Sequence, residues 1–167
     1  MLPPLPRNAS LADRDSVRGE ADQVSMMVAV IDGLGGGIGA QIVGQLRQAL
    51  PGQEILALGT NASATERMLK AGASRGATGE NAIRVCIPQA AFIVAPIGVA
   101  VPNLMLGEVT PAIAEAVSGA PGRKLLLPIN QPHFEIVGIE TKPLAQQIAA
   151  VVEIVRQAIQ GPGEADH

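Results

Sequence analysis

The chain alternates between short segments with strand character and longer segments with helical periodicity. The predicted strands cover residues 26–32, 54–59, 73–77, 91–95 and 124–129. The first, Met26 to Asp32, is almost entirely apolar and lacks the alternation of a half-buried strand. Such a run indicates burial on both faces, as in a parallel sheet that is covered by helices.

Amphipathic segments separate these strands. After the first strand, apolar residues recur at helical spacing and stop before Pro51-Gly52; they are Ile38, Ile42, Val43, Leu46 and Leu50. This spacing predicts a helix with one apolar side. Further helices are predicted over 63–71, from 78 or 79 to 86, over 111–118 and over 144–159, the third of these with Thr110 as its N-cap and Pro111 in its first turn.

The alternation of strands and helices predicts an α/β fold, a doubly wound, three-layer Rossmann-like parallel sheet of about five strands. Residues 26–160 are assigned to this domain. Residues 1–25, rich in Pro, Ser, Asp and Arg, are predicted to form a disordered N-terminal arm, and residues 161–167 a disordered tail. Ligands of such sheets bind beyond the carboxyl ends of the strands, which here follow Ile31, Leu58, Ala95 and Ile129.

Composition restricts the partners. Charged residues make up 16% of the chain and the formal net charge is -3, which argues against a nucleic-acid or anionic-membrane partner. The uncharged stretch Val85 to Gly107 contains three prolines and is interpreted as buried strand and loop rather than a membrane span. One cysteine and two histidines cannot supply a disulfide framework or a four-ligand Cys/His zinc site, and a reducing, cytoplasmic location is expected.

The strongest chemical signal is the glycine turn, defined here as Asp32 to Gly39. It lies between the first strand and the first helix and contains Gly33, Gly35, Gly36, Gly37 and Gly39, with Ile38 before the last. Glycines let backbone N–H groups approach an anion, and the helix N-terminus adds partial positive charge, so the turn predicts phosphate or nucleotide binding. The alternative is a tight turn that only packs helix against strand.

Two registers of the turn match known fingerprints. Gly35-x-Gly37-x-x-Ala40 fits the dinucleotide pattern, and Gly33-x-x-x-Gly37-Ile38-Gly39 resembles the turn of short-chain dehydrogenases. That resemblance covers only the first βαβ unit, and the Tyr-x-x-x-Lys pair of those enzymes cannot exist in a chain without tyrosine. No Gly-Lys-Ser or Gly-Lys-Thr follows the glycines, which excludes a P-loop.

The end of the second strand weakens the case for NAD. A dinucleotide site expects an acidic residue there, but the chain has Gly59-Thr60-Asn61. Thr60 and Asn61 are candidates for contact with a ribose or base, and Asn61 is equally suited to cap the next helix. Because no carboxylate stands at this place, the site would better accommodate a ribose that carries a 2′-phosphate, with Arg67 as the nearby cation. NAD(P) or another nucleotide is the expected cofactor.

Two residues are candidates for catalysis. Asp32 could hold Mg²⁺, act as a base or nucleophile, or brace the glycine turn by accepting backbone N–H bonds. His133 follows the last strand and is the one histidine placed for acid–base work, although a lone loop histidine is more often structural. No other metal ligand is proposed.

Further candidates for ligand contact follow the remaining strands. They are Thr78, Glu80, Asn81, Pro96, Gly98 and Asn130. Helix capping accounts equally well for Thr78, and packing accounts equally well for Pro96 and Gly98. Glu108 precedes the Thr110 cap, and its interaction with the helix dipole is the expected role.

Several motifs together resemble one family. They are MVAVIDGLGGGIGAQIV at 27–43, ALGTNASAT at 57–65, GATGENAI at 76–83, APIG at 95–98 and MLGEVTP at 105–111. The resemblance is to a bacterial family of short proteins known only as a domain of unknown function, and it spans nearly all of residues 26–140. It implies a compact Rossmann-like body and carries no catalytic assignment.

The leading functional hypothesis is a protein that binds a phosphate-containing nucleotide or dinucleotide at the glycine turn. The alternative is a non-catalytic, oligomeric sensor or accessory subunit whose glycine turn is structural. A homo-oligomer, most simply a dimer, is expected because residues 26–160 carry no net charge and the segment from Val99 to Leu106 is apolar. That segment could instead fold back over the sheet as a lid.

Overall fold

The computed structural model describes residues 26–129 and 135–161. Its five strands are β1 (Val28–Asp32), β2 (Ile55–Gly59), β3 (Arg75–Thr78), β4 (Phe92–Pro96) and β5 (Arg123–Leu127). Its α-helices are α1 (Gly37–Ala49), α2 (Ala62–Lys70), α3 (Glu80–Cys86), α4 (Pro111–Gly119) and α5 (Leu144–Gln160). Two short 3₁₀ helices, Ile87–Gln89 and Ile97–Ala100, flank β4. Strands and helices thus alternate as the sequence predicts.

All five strands are parallel, in the order β3-β2-β1-β4-β5. The chain moves from β1 outward through β2 to β3 and then returns to place β4 on the other side of β1. The strand order therefore reverses between β1 and β4, the position where doubly wound sheets bind ligands. The predicted fold class is confirmed.

A separate apolar layer covers each face of the sheet. On one face, Ile42 of α1, Met68 of α2 and Ile148 of α5 pack with Val30 of β1. On the other face, the cluster contains residues of α3 and α4, such as Ile83 and Ile113, together with Ile31, Leu58 and Ile93 of the strands. Successive strand residues thus serve opposite faces, which explains why β1 lacks polar alternation.

The boundaries of the elements differ slightly from the prediction. Strand β1 begins at Val28 rather than Met26, and β3 begins two residues later than predicted. Strand β3 forms the exposed edge of the sheet. Strand β5 ends at Leu127 because the following Pro128 has no N–H for the ladder. Thr110 caps α4 by accepting the Ile113 N–H, as predicted.

The stretch from Val85 to Gly107 forms the end of α3, the two 3₁₀ helices, the buried strand β4 and turns, but Val85 and Leu106 are exposed, so the expected burial holds for the strand and not for the whole stretch. Across the described ranges, no helix combines the length and apolarity needed to cross a bilayer. The predictions for residues 1–25 and 162–167 fall outside the described residues.

Candidate functional site

The side chain of Asp32 accepts hydrogen bonds from both ends of the glycine turn. Asp32 is the last residue of β1 and is only 3% exposed. Its Oδ1 atom accepts the N–H of Gly33 at 2.8 Å, and its Oδ2 atom accepts the N–H of Gly39 at 2.7 Å. Burial raises the pKa of Asp32, the backbone N–H groups of Gly39, Gly33 and Ile38 act in the opposite direction, and the charge of Glu108 raises it further. The bracing contacts that the sequence allowed for Asp32 are therefore present.

Three of the five glycines are required by packing. A Cβ atom on Gly33 would lie 2.6 Å from Thr60 Oγ1, and one on Gly39 would lie 2.6 Å from Met68 Sδ. Gly36 is the N-cap of α1 with φ of 70°, and a Cβ there would lie 2.6 Å from the Cα of Ala64. The turn thus packs closely against α2 and against Thr60, which follows β2, at these positions.

Gly35 and Gly37 differ from the other three. A Cβ on Gly37 would come no closer than 3.5 Å to Arg67, and one on Gly35 no closer than 3.9 Å. Neither residue has a positive φ. Within residues 26–129 and 135–161, no acceptor is bonded to the N–H of either glycine. Neither packing nor backbone conformation therefore accounts for glycine at these two positions.

The carboxylate of Glu108 joins the glycine turn to the end of β2. Its Oε2 atom accepts the N–H of Leu34 at 2.7 Å and the hydroxyl of Thr60 at 2.6 Å. Asn61 Nδ2 donates to both carboxylate oxygens at 3.1 Å. Burial favours a higher pKa for Glu108, but the hydrogen bonds from Thr60, Leu34 and Asn61 outweigh it and lower the pKa below its ordinary value. Glu108 therefore links the glycine turn to the residues that follow β2. This role differs from the interaction with the helix dipole that the sequence predicts.

Glu108 is presented by the β4–α4 connection, residues 97–110. Val99 and Val109 anchor this connection in the core. Between them the chain reverses through Asn103, Met105 and Leu106, all with φ between 54° and 67°. The Asn103 N–H donates to the Val109 carbonyl at 2.7 Å and closes the reversal. Such backbone angles are uncommon for these residue types, so the connection is held in a specific shape.

A cavity of about 590 Å³ opens between the glycine turn and the β4–α4 connection. Asp32 and Pro96, the last residues of β1 and β4, both line it, which places it where the strand order reverses. The other lining residues are Gly33, Leu34, Gly35, Gly36, Gly37, Ile38, Gln41, Asn103, Leu104, Met105, Leu106 and Ile129. The walls are mostly apolar, and exposed glycine backbone forms one end.

Several predicted contact residues lie away from this cavity and make contacts within the protein. Asn61 Oδ1 caps α2 by accepting the Ala64 N–H. Thr78 and Thr65 share a hydrogen bond of 2.7 Å between their hydroxyls, and Glu80 accepts the hydroxyl of Thr110 at 2.6 Å. Thr60, Asn81, Gly98 and Gly39 also do not line the cavity. Their contact with a ligand stays a prediction.

Two of the predicted site residues, Asn130 and His133, lie outside the described residues. In the part of the chain that is described, no three His, Cys, Asp or Glu side chains are grouped as a metal site would require. Sequence reasoning missed the lining residues Leu34, Gln41, Ile129, Leu104, Met105 and Leu106 as well as the role of Glu108. The last four belong to one connection, whose apolar character was noticed but whose position over the glycine turn depends on tertiary contacts.

Comparison with known proteins identifies a family. Among solved structures, the chain is similar to a dodecameric FMN-dependent UbiX-like decarboxylase from Escherichia coli O157:H7, with 12% identity over 83% of this chain and 95% of that chain and a TM-score of 0.38. No curated protein sequence matches the chain. Residues 27–160 match the sequence pattern of a domain of unknown function, DUF3842. The predicted membership of a family of unknown function is confirmed, and the chain belongs to the DUF3842 family.

Proposed function

We propose that the protein binds a phosphate-containing nucleotide at the glycine turn. The phosphate lies against the backbone of Gly35 and Gly37 at the N-terminus of α1, and the base or another ring lies in the cavity. Free N–H groups and the helix dipole together attract an anion at such a position.

The observation that carries this proposal is the contrast among the five glycines. Gly33, Gly36 and Gly39 are accounted for by close packing or a positive φ. A Cβ at Gly35 or Gly37 would make only ordinary van der Waals contact, with the guanidinium of Arg67, and both glycines line the cavity. A side chain at either position would occupy space that a phosphate needs to reach the backbone. The guanidinium of Arg67, which donates to the Gly35 carbonyl at 3.3 Å, adds a positive charge beside the turn.

The apolar walls supply the rest of the site. Ile38 and Ile129 line the cavity together with three residues of the β4–α4 connection, namely Leu104, Met105 and Leu106. Small-molecule sites combine such apolar surface with a few placed polar groups. A nucleobase or a comparable flat ring therefore suits the cavity.

Asp32 favours binding over acid–base chemistry at this site. It is the one ionisable side chain among the described residues that line the cavity, and both of its oxygens already accept backbone N–H groups. This supports the second candidate, a non-catalytic sensor or accessory subunit that responds to its ligand. In that candidate the packed glycines keep their structural role.

With either candidate function, we expect the protein to self-associate. Leu34 and Leu106 line the cavity and are 46% and 96% exposed. Exposed apolar side chains beside a cavity are typical of contact with another molecule. We infer that the partner is a second copy of the chain.

Titration calorimetry with Gly37→Val and Gly44→Val tests the nucleotide site. Both residues lie in α1, and a Cβ at Gly44 meets nothing within 4 Å. The Gly37 variant is expected to lose binding of whichever of AMP, FMN and NAD⁺ the unmodified chain binds, while the Gly44 variant keeps the affinity of the unmodified chain. Equal affinity in a folded Gly37 variant would overturn the phosphate position.

A further inference from the structure

The glycine turn is closed on the side that faces β2. Leu34, at the top of the turn, has its N–H bonded to Glu108 and its carbonyl bonded to Asn61 Nδ2 at 2.9 Å. Gly33 packs against Thr60, Met105 and Glu108 so closely that an added Cβ would lie within 2.8 Å of each. These direct contacts leave no gap between the turn and the residues that follow β2.

The side that faces β4 is open. The cavity extends there from the glycine turn past Pro96 at the end of β4 to Ile129 beyond β5. Thr60, Asn61 and Glu108 are absent from its lining, so it does not continue to the end of β2. Among the described residues, this cavity therefore occupies one half of the crevice.

In doubly wound sheets a dinucleotide crosses the glycine turn, with one ribose held by a carboxylate at the end of the second strand and the other nucleotide beyond the switch point. Here the carboxylate at that place comes from the β4–α4 connection, 74 residues after Leu34, and bonds directly to the turn. The Glu108 carboxylate therefore occupies the space through which a dinucleotide would pass, rather than lying beside the dinucleotide.

We propose that the site takes a mononucleotide and that Glu108 excludes dinucleotides. This inference rests on the proposed nucleotide site and specifies its ligand class. One phosphate group lies at Gly35 and Gly37, and one ring lies between Ile38 and Leu104. Glu108 acts as a specificity-determining residue because it holds the β4–α4 connection against the turn.

The lining of the cavity agrees with a ligand of low charge. None of the described lining residues is Lys or Arg, and the one α-helix whose N-terminus lies in the cavity is α1. Among the described lining residues, no cation is therefore placed to hold a second phosphate, as in a pyrophosphate bridge.

Calorimetry with NAD⁺ and its halves AMP and nicotinamide mononucleotide, and with FAD and its halves AMP and FMN, tests the inference. We expect at least one half to bind the unmodified chain, and the dinucleotide that contains it to bind at least tenfold more weakly. A dinucleotide that binds within tenfold of its halves, or more tightly, overturns the inference and leaves the proposed function intact. If no nucleotide binds, the proposed function falls and the ligand class with it.

Variants of Glu108 test its role separately. Glu108→Ala is expected to reduce the ratio of dinucleotide to mononucleotide Kd by at least tenfold, whereas Glu108→Gln, which still fills the gap, keeps the ratio near that of the unmodified chain. A merely structural defect would weaken both ligand classes alike. Glu115→Ala, on the exposed side of α4, controls for the loss of a carboxylate. A folded Glu108→Ala protein with an unchanged Kd ratio contradicts the specificity role of Glu108. If that variant does not fold, the comparison of dinucleotides with their halves on the unmodified chain tests the inference.

Discussion

The Oδ2 atom of Asp32 accepts the backbone N–H of Gly39 at 2.7 Å across the whole glycine turn. The same carboxylate accepts the N–H of Gly33, so one buried side chain ties the end of β1 to the first turn of α1. Hydrogen bonds to a charged acceptor contribute more than neutral ones, and buried donors that lose their partner are costly. Asp32 thus sets the shape of the turn on which the proposed site depends.

Replacement of Asp32 by alanine is expected to lower the free energy of unfolding by about 3 kcal/mol, because two backbone N–H groups lose their acceptor inside the protein. Asp32→Asn, which keeps one side-chain oxygen, should lose less. Urea unfolding followed by circular dichroism measures both. A loss below about 1 kcal/mol for the alanine variant would contradict the bracing role.

The pH dependence of Asp32 follows from its raised pKa. The folded state binds this proton more tightly than the unfolded chain, whose Asp titrates near 3.8. This contribution to stability is fully present below that pH and is lost as the pH rises through the higher, folded-state pKa. The unfolding free energy of the unmodified chain relative to Asp32→Asn should therefore fall as the pH rises above 3.8. A difference that grows over this range would contradict the shift.

Glu108 is expected to show the opposite slope. Its pKa is lowered from an ordinary value of 4.5, so the folded state favours the ionised carboxylate. The resulting stability is present above pH 4.5 and is lost as the pH falls through the lower, folded-state pKa. Compared with Glu108→Gln, the unmodified chain should lose its advantage on acidification. Parallel stability curves for the two proteins would refute this expectation.

The glycines should separate into two classes on substitution. Gly36→Ala forces a side chain onto a positive φ and against the backbone of Ala64, and should cost at least about 2 kcal/mol of stability. Gly35→Ala meets no close atom and should leave stability unchanged or raise it by up to about 1 kcal/mol. Thermal and urea unfolding of the pair measures the contrast. Equal losses would mean that the turn packs differently.

Self-association should depend on Leu106. Leu106→Glu places a charge at an exposed apolar residue that lines the cavity and is expected to shift the mass measured by light scattering at tens of micromolar toward the monomer. Val137→Glu, at another strongly exposed apolar residue, is the control and should leave the mass unchanged. A monomeric mass for the unmodified chain would instead favour the lid interpretation of the β4–α4 connection.

The sequence by itself determined the fold class and nearly every element. Strand β1 and helix α1 follow from local information, because burial on both faces removes polar residues from a strand and one-sided burial leaves a helical period. The N-cap position of Thr110 and the glycine turn are also local patterns. The position of Asp32 at the end of a strand, next to the backbone N–H groups of the glycine turn, is also visible in the local sequence.

The tertiary structure alone decided how the site is closed. No spacing in the sequence relates Glu108 to Leu34 or Thr60, since the contact arises only when the β4–α4 connection folds back over the ends of β1 and β2. The sequence therefore showed a missing carboxylate after β2, whereas in space a carboxylate is there. It also could not separate Gly35 and Gly37 from the three packed glycines, because the difference lies in the distance to α2 and to the connection, which only the assembled sheet defines.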